Sequence, residues 1–103
     1  MANVVQYISN TITSTTIDTL SFSQNVNQND VLIAIVSTMG TLNHVRSITD
    51  SLNLTWYKVS QSNYYNDIEV WYAVANASQP ETVTVNMADT GDINLTLIEI
   101  SGL

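Results

Sequence analysis

The chain has 103 residues, which suits one domain with a single core and leaves little room for a second. Only 11% of the residues are charged, and nine acids against Arg46 and Lys58 give a formal charge of −7, so no basic patch exists to displace counterions from phosphate and nucleic acid is a poor partner. Cysteine is absent, which removes disulfide frameworks and thiolate metal sites. The abundance of Val, Ile and Thr, stiff at χ1, excludes an all-helical fold.

The pattern along the chain is that of strands. Residues 4–8 form a first short strand, and the Ser, Thr and Asn stretch 9–16 fits strand or loop. Residues 17–23 alternate Leu20 and Phe22 with Thr19 and Ser21, the pattern of a strand with one wet side. The turn formers of 24–30 join it to Val31-Leu32-Ile33-Ala34-Ile35-Val36. That run is apolar on both faces and is expected in mid-sheet with something packed on each side. Residues 39–43 read as a loop, 45–49 as a strand ending in a turn at Asp50-Ser51, and 54–60 as a strand whose buried side is undecided. The stretch 61–67, with Tyr64 and Tyr65 at its centre, reads as an exposed loop or hairpin. Strand 68–75 sets Ile68, Val70, Tyr72 and Val74 against Glu69, Trp71, Ala73 and Ala75. After a turn at 76–80, residues 81–87 place Val83, Val85 and Met87 opposite Thr82, Thr84 and Asn86. A turn at 89–92 leads to the last strand, 93–101, in which Ile98 and Ile100 oppose Ile93, Leu95 and Leu97; a bulge or burial on both faces reconciles them. Seven to eight short strands with turn signals every 8 to 12 residues or so predict an all-β, two-sheet antiparallel sandwich, Ig-like or jelly-roll-like, with a closed barrel second.

Catalytic chemistry has little to work with. His44 is the only histidine, with no nucleophile elbow near it, so no catalytic residue, metal ligand or cofactor is assigned. Glu69 and Glu99 are central to strands, and the ordinary expectation for each is to face solvent or to pair with Arg46 or Lys58. Asp30, Asp50, Asp67, Asp89 and Asp92 lie in predicted turns and bring calcium to mind, but none has EF-hand spacing, and turn Asp residues usually bond their own backbone. Six aromatics cluster as Trp56-Tyr57, Tyr64-Tyr65 and Trp71-Tyr72. Adjacent strand residues point to opposite sides, so one of each pair is expected in the core and the other over the sheet face. As ligand contacts the candidates are Tyr64, Tyr65 and one face of Trp56 or Trp71. Three N-x-S/T sequons mark Asn53, Asn76 and Asn94 as N-glycosylation acceptors if the chain meets a transferase, a pattern chance alone supplies at this composition.

The segments Asn29-Asp30-Val31-Leu32-Ile33-Ala34-Ile35-Val36, Ile48-Thr49-Asp50-Ser51-Leu52-Asn53-Leu54-Thr55-Trp56, Ile68-Glu69-Val70-Trp71-Tyr72-Ala73, Thr82-Val83-Thr84-Val85 and Ile98-Glu99-Ile100-Ser101-Gly102-Leu103 together resemble a family of small β-sandwich repeats of secreted bacterial and archaeal surface proteins and phage proteins. This sequence has Asn29 where that family usually has Gly, and Leu52-Asn53-Leu54 in place of its Gly-Asn turn. The resemblance implies a structural or adhesive role without catalysis. The low charge and the polar N-terminal extension are also similar to subunits of archaeal surface filaments, which assemble by strand donation.

These readings give a single domain spanning 1–103, with 1–16 as an exchangeable N-terminal strand segment whose Val4, Val5, Tyr7 and Ile8 fill a groove on an identical subunit. The role expected is a non-enzymatic structural part of a filament, pilus-like thread or repeat stalk. The rival is a module binding a glycan or host receptor. Charge depletion in favour of Asn, Ser and Thr points to an extracellular, cell-surface setting. The start of the chain has neither the basic nor the apolar segment of a signal peptide. No membrane insertion is expected, because the longest apolar run has six residues where a span needs about 20.

Overall fold

The computed structural model describes residues 2–38, 43–63 and 66–103. Among these residues six strands form one antiparallel sheet: β1 (Asn3–Ser21), β2 (Val31–Thr38), β3 (Val45–Asp50), β4 (Tyr57–Ser62), β5 (Ile68–Val74) and β6 (Thr82–Ser101). The order is β1-β6-β2-β5-β4, with β3 also on β6, and the sheet does not close into a barrel. Fewer strands form than the seven to eight expected, because two pairs of predicted strands fuse. Stretch 9–16 is not a break but the middle of β1, and Asp89-Thr90-Gly91-Asp92 is not a chain reversal but lies within β6.

The turn formers at those two places mark irregularities in one ladder. Ile12 pairs with Ile93 and Thr15 with Gly91, and then Ile17 pairs with Asn86, so β6 carries several residues opposite Thr16 alone. Ser14 takes a positive φ of 51° in this bend, and its amide donates to Asp92 Oδ1 at 3.0 Å. The extra length of β6 is bonded by an asparagine side chain. The Asp89 amide donates to Asn43 Oδ1 (2.9 Å) and Asn43 Nδ2 donates to the Asp89 carbonyl (2.8 Å), as a neighbouring strand's backbone would.

β6 thus has two halves. Its first half pairs with the end of β1 and with β3, and its second half with the start of β1 and with β2. Val83, Val85 and Met87 from the first, and Ile93, Leu95 and Leu97 from the second, share one core with Phe22, Val26, Leu32, Ala34 and Val36. Inward positions on β6 are all odd-numbered, so the alternation survives the irregularity.

The wider arm, β1-β6-β2-β5-β4, has a second face. Register sets Tyr7, Ile98, Ile33, Tyr72 and Tyr57 in one row across all five strands. Val4, Ile100, Val31 and Val74 form the next row, and Ile35 and Val70 lie on the other side. The apolar run 31–36 predicts burial on both sides, but among the described residues no second layer covers Val31, Ile33 and Ile35, which stay only partly buried. The last strand needs no bulge in its pairing with β2: Ile98 and Ile100 belong to this outer face.

The strand expected at 54–60 starts only at Tyr57. The preceding residues are wound around Asp50, whose carboxylate accepts the Leu52 amide (3.2 Å), the Leu54 amide (2.9 Å) and the Trp56 indole N–H (3.2 Å), with Asn53 at a φ of 56°.

Leu97→Ala, at the centre of the inner face, is expected to cost about 2–5 kcal/mol, whereas Thr84→Ala on the outer side of the other arm costs under about 1 kcal/mol. Urea unfolding of the two variants measures the contrast.

Candidate functional site

Two features of the structure carry chemistry or contact: the edge formed by β1, and a set of carboxyl groups buried beneath the sheet. β1 borders the sheet, and among the described residues its strand ladder runs to β6 alone. Of the residues predicted to act in assembly, Val4 and Tyr7 project onto the outer face, 62% and 73% exposed, Val5 sits at a register shift between Val4 and Gln6, and Ile8 packs against the core. The inner side of this half-strand is held by Gln6. Its Nε2 donates to Glu99 Oε1 (2.8 Å) and to the Gln24 carbonyl (3.1 Å), and its Oε1 accepts the Gln24 amide (3.1 Å).

Glu99 and Glu69 do not face solvent; both are fully buried, as are Glu81, Asp67 and Asp18. The alternation that aims Leu95 and Leu97 inward aims Glu99 the same way. Glu69 does meet a cation, Lys58 at 4.0 Å, but Glu99 meets none and is clasped instead by Gln6 and by the Asn27 amide at 2.8 Å. Each buried Glu adjoins an Asp: Glu69 with Asp67, Glu81 with Asp50, Glu99 with Asp30. Among the described residues no donor reaches Asp30 Oδ2, Asp67 Oδ2 or Glu81 Oε2, although these atoms are buried.

A shared proton satisfies such a pair, since two carboxylates at hydrogen-bonding range do not both ionise in a dry site. Burial, then the neighbouring carboxyl, pushes Glu81 up to about 8, against the Ser51 hydroxyl that donates to Oε1 at 2.9 Å. Glu69 is raised by burial and Asp67, although the Val45 amide (2.8 Å) and the Trp71 indole (3.0 Å) donate to it. Burial likewise raises Glu99, with Asp30 adding to it and Gln6 opposing. Asp18 is raised by burial against a single bond from Asn10 Nδ2 (2.8 Å). Asp18 Oδ2 and Asn10 Oδ1 are both buried without a donor, and one proton on the carboxyl supplies the missing bond.

The aromatic residues divide as alternation requires. Trp56 and Trp71 pack against the core with their indole N–H groups on Asp50 and Glu69, while Tyr57 and Tyr72 stack outside at 5.3 Å between centroids. Tyr64 and Tyr65 lie outside the described residues. Beside the tyrosine stack an open cleft of about 330 Å³ is lined by Asn53, Leu54, Thr55, Tyr57, Val74 and Asn76, a site the sequence pattern did not single out because its residues come from two separate segments, 53–57 and 74–76. All three sequon asparagines are exposed; Asn76 Nδ2 donates to the Leu52 carbonyl (3.2 Å) and Asn94 Nδ2 to Thr11 Oγ1 (3.1 Å). Asp50 and Asp92 hold backbone amides, and the described residues contain no cluster of three or more His, Asp or Glu able to hold a metal ion. The sequence matches no family model, and no curated protein is significantly similar to it.

Because these carboxyls have folded pKa values above their unfolded ones, their stabilisation is complete below about pH 4.5 and is lost as pH rises through the folded value, about 8 for Glu81. Stability is therefore expected to fall between about pH 5 and pH 8, by up to about 1.4 kcal/mol per pH unit for each proton held. Glu81→Gln, which keeps an acceptor for Ser51 and offers an N–H to Asp50, should flatten that slope and raise stability near pH 8. Urea unfolding across the range tests this, and a wild-type profile that is flat or rises with pH contradicts it.

Proposed function

We propose that this chain is a non-enzymatic structural module of an extracellular, cell-surface assembly, built as an antiparallel sandwich in which the two arms of the sheet stack as layers, and that copies join by donation of the N-terminal half of β1. The observation that carries this reading is the edge position of residues 3–12, joined to the domain by one ladder, with Val4 and Tyr7 in solvent. The same main-chain bonds form equally well with β6 of an adjacent copy, so exchange conserves hydrogen bonding while linking subunits. No charged residue precedes Asp18, so nothing on this half-strand resists burial in a neighbour. The depletion of Lys and Arg in favour of Asn, Ser and Thr supports the extracellular setting.

The cleft beside Tyr57 favours a second reading, a module for a glycan or a glycan-bearing receptor. Its lining is neutral and offers two amides, a hydroxyl and an aromatic ring, groups that match sugar hydroxyls and a C–H face.

Negative-stain microscopy of the full chain should show ordered threads, and a variant lacking residues 3–16 should form none yet capture a synthetic peptide of that segment. Threads that persist unchanged in the truncated chain overturn strand donation. For the second reading, Tyr57→Ala should abolish signals that the wild type gives on a glycan array, and a blank array for the wild type rejects it.

A further inference from the structure

We infer that the outer face of the five-stranded arm is a contact surface on which a second copy of this chain packs face to face. The inference rests on the self-association in the reading above but not on strand donation. At the centre of the face stands Ile33, with Ile98 and Tyr72 beside it across the ladders and Val31 and Ile35 before and after it on the same strand. All five are only half-buried in the single chain. Tyr7 and Tyr57 close the two ends of the central row, and Val4 and Val74 those of the next.

The outer side of the narrower arm has a different composition at equivalent positions. There Thr19 meets Thr84, Ser21 meets Thr82 and Asn86 meets Ser47 through side-chain hydrogen bonds of 3.1, 2.8 and 3.1 Å, the hydroxyl-rich surface of a sheet that faces water. The rows centred on Val31 and Ile33 are Ile, Val and Tyr throughout, and only in the third do Ser9, Thr96 and Ser60 flank Ile35 and Val70, the composition of a face that meets another layer.

Charge and size select a second copy as that layer. The three rows centred on Val31, Ile33 and Ile35 carry none of the nine acids and neither cation: Glu69, Glu99 and Lys58 take the opposite parity on their strands, and Asp92, which shares the parity of Ile98, lies two positions of that parity beyond Thr96. On a chain of formal charge −7 it is a region where like-charged copies meet without opposing carboxylates. Five strands spaced about 4.8 Å apart, with alternate residues about 6.6 Å apart along each, span roughly 25 by 20 Å. That is about 500 Å² in plan and more in accessible area, approaching the ~800 Å² per partner of a standard stable interface. A two-fold axis through the neighbourhood of Ile33 makes the contact isologous and closed, leaving both β1 edges free at its borders.

Sedimentation velocity of the full chain from about 1 to 500 µM, with Ile33→Lys and Val74→Lys measured beside it, tests the inference. The expected result is a concentration-dependent dimer for the wild type, weakened at least about 100-fold by each substitution, with circular dichroism unchanged. A wild type at 11.4 kDa throughout overturns the inference, and so does a dimer that survives both substitutions in folded protein. Should Ile33→Lys fail to fold, Val74→Lys decides, since Val74 is already exposed at the border of the face. Neither substitution touches residues 3–16, so threads that survive both while the truncated chain forms none leave strand donation standing without this contact.

Discussion

Three of the other five strands are hydrogen-bonded directly to β6, and the remaining two reach it through β2. The burial of alternate side chains on this one strand therefore sets the register of the whole sheet. Val83, Val85, Met87, Ile93, Leu95 and Leu97 all have the same parity, and a slip of one residue exposes every one of them. Accommodating a long strand that pairs with different partners in its two halves needs a place where the ladder relaxes. The extra residues near Asp89, bonded by the Asn43 amide, and the left-handed Ser14 opposite supply it.

The same parity brings the acids inside. Once Leu95 and Leu97 face the core, Glu99 follows, and Glu69 and Glu81 are committed in the same way by Trp71 and Val83. A protein richer in Lys and Arg neutralises such groups with cations, at a desolvation cost for both partners. This chain has two cations, and only Lys58 approaches one of the buried acids, so neighbouring carboxyls sharing a proton, with amide and hydroxyl donors on the remaining oxygens, become the available solution. The formal charge of −7 assumes every acid ionised, and each proton held in the folded state removes one negative charge and lowers the repulsion between copies.

Most of the strand content was legible in the sequence, because the apolar run at 31–36 and the period-two patterns at 68–75, 81–87 and 93–101 are intrinsic to single segments. What was not legible depended on partners. Asp89-Thr90-Gly91-Asp92 has the composition of a turn, and only the pairing of Thr15 with Gly91 shows that the chain runs on through it. The start of β4 was misplaced because the carboxylate of Asp50 captures amides two and four residues ahead, a competition that alternation does not reveal. The charge of Glu69 and Glu99 predicts that each faces solvent or pairs with Arg46 or Lys58; Glu69 meets Lys58, but both are buried, because their own strands aim them inward. That one member of each pair Trp56-Tyr57 and Trp71-Tyr72 packs inward followed from alternation; that it is the Trp in both did not. The cleft at Asn53 and Asn76 did not, because two segments distant in the chain meet there.

The two borders of the wide arm differ in a way that bears on assembly. β4 is interrupted by a bulge between Lys58 and Ser60 and carries an ammonium group, both of which discourage another strand from adding to it. Within residues 3–12, β1 is irregular only between Val4 and Gln6 and carries no charge, so this half of its edge lacks the usual protection. Unprotected edges are hazards unless they are used. An assembly with one protected and one open border per subunit grows in a defined direction, since β1 cannot be met by β4 of the next copy as readily as by the groove that β1 itself vacates. On the proposed strand donation the apolar face lies at right angles to the direction of growth, so the proposed contact through it would join threads laterally rather than end to end.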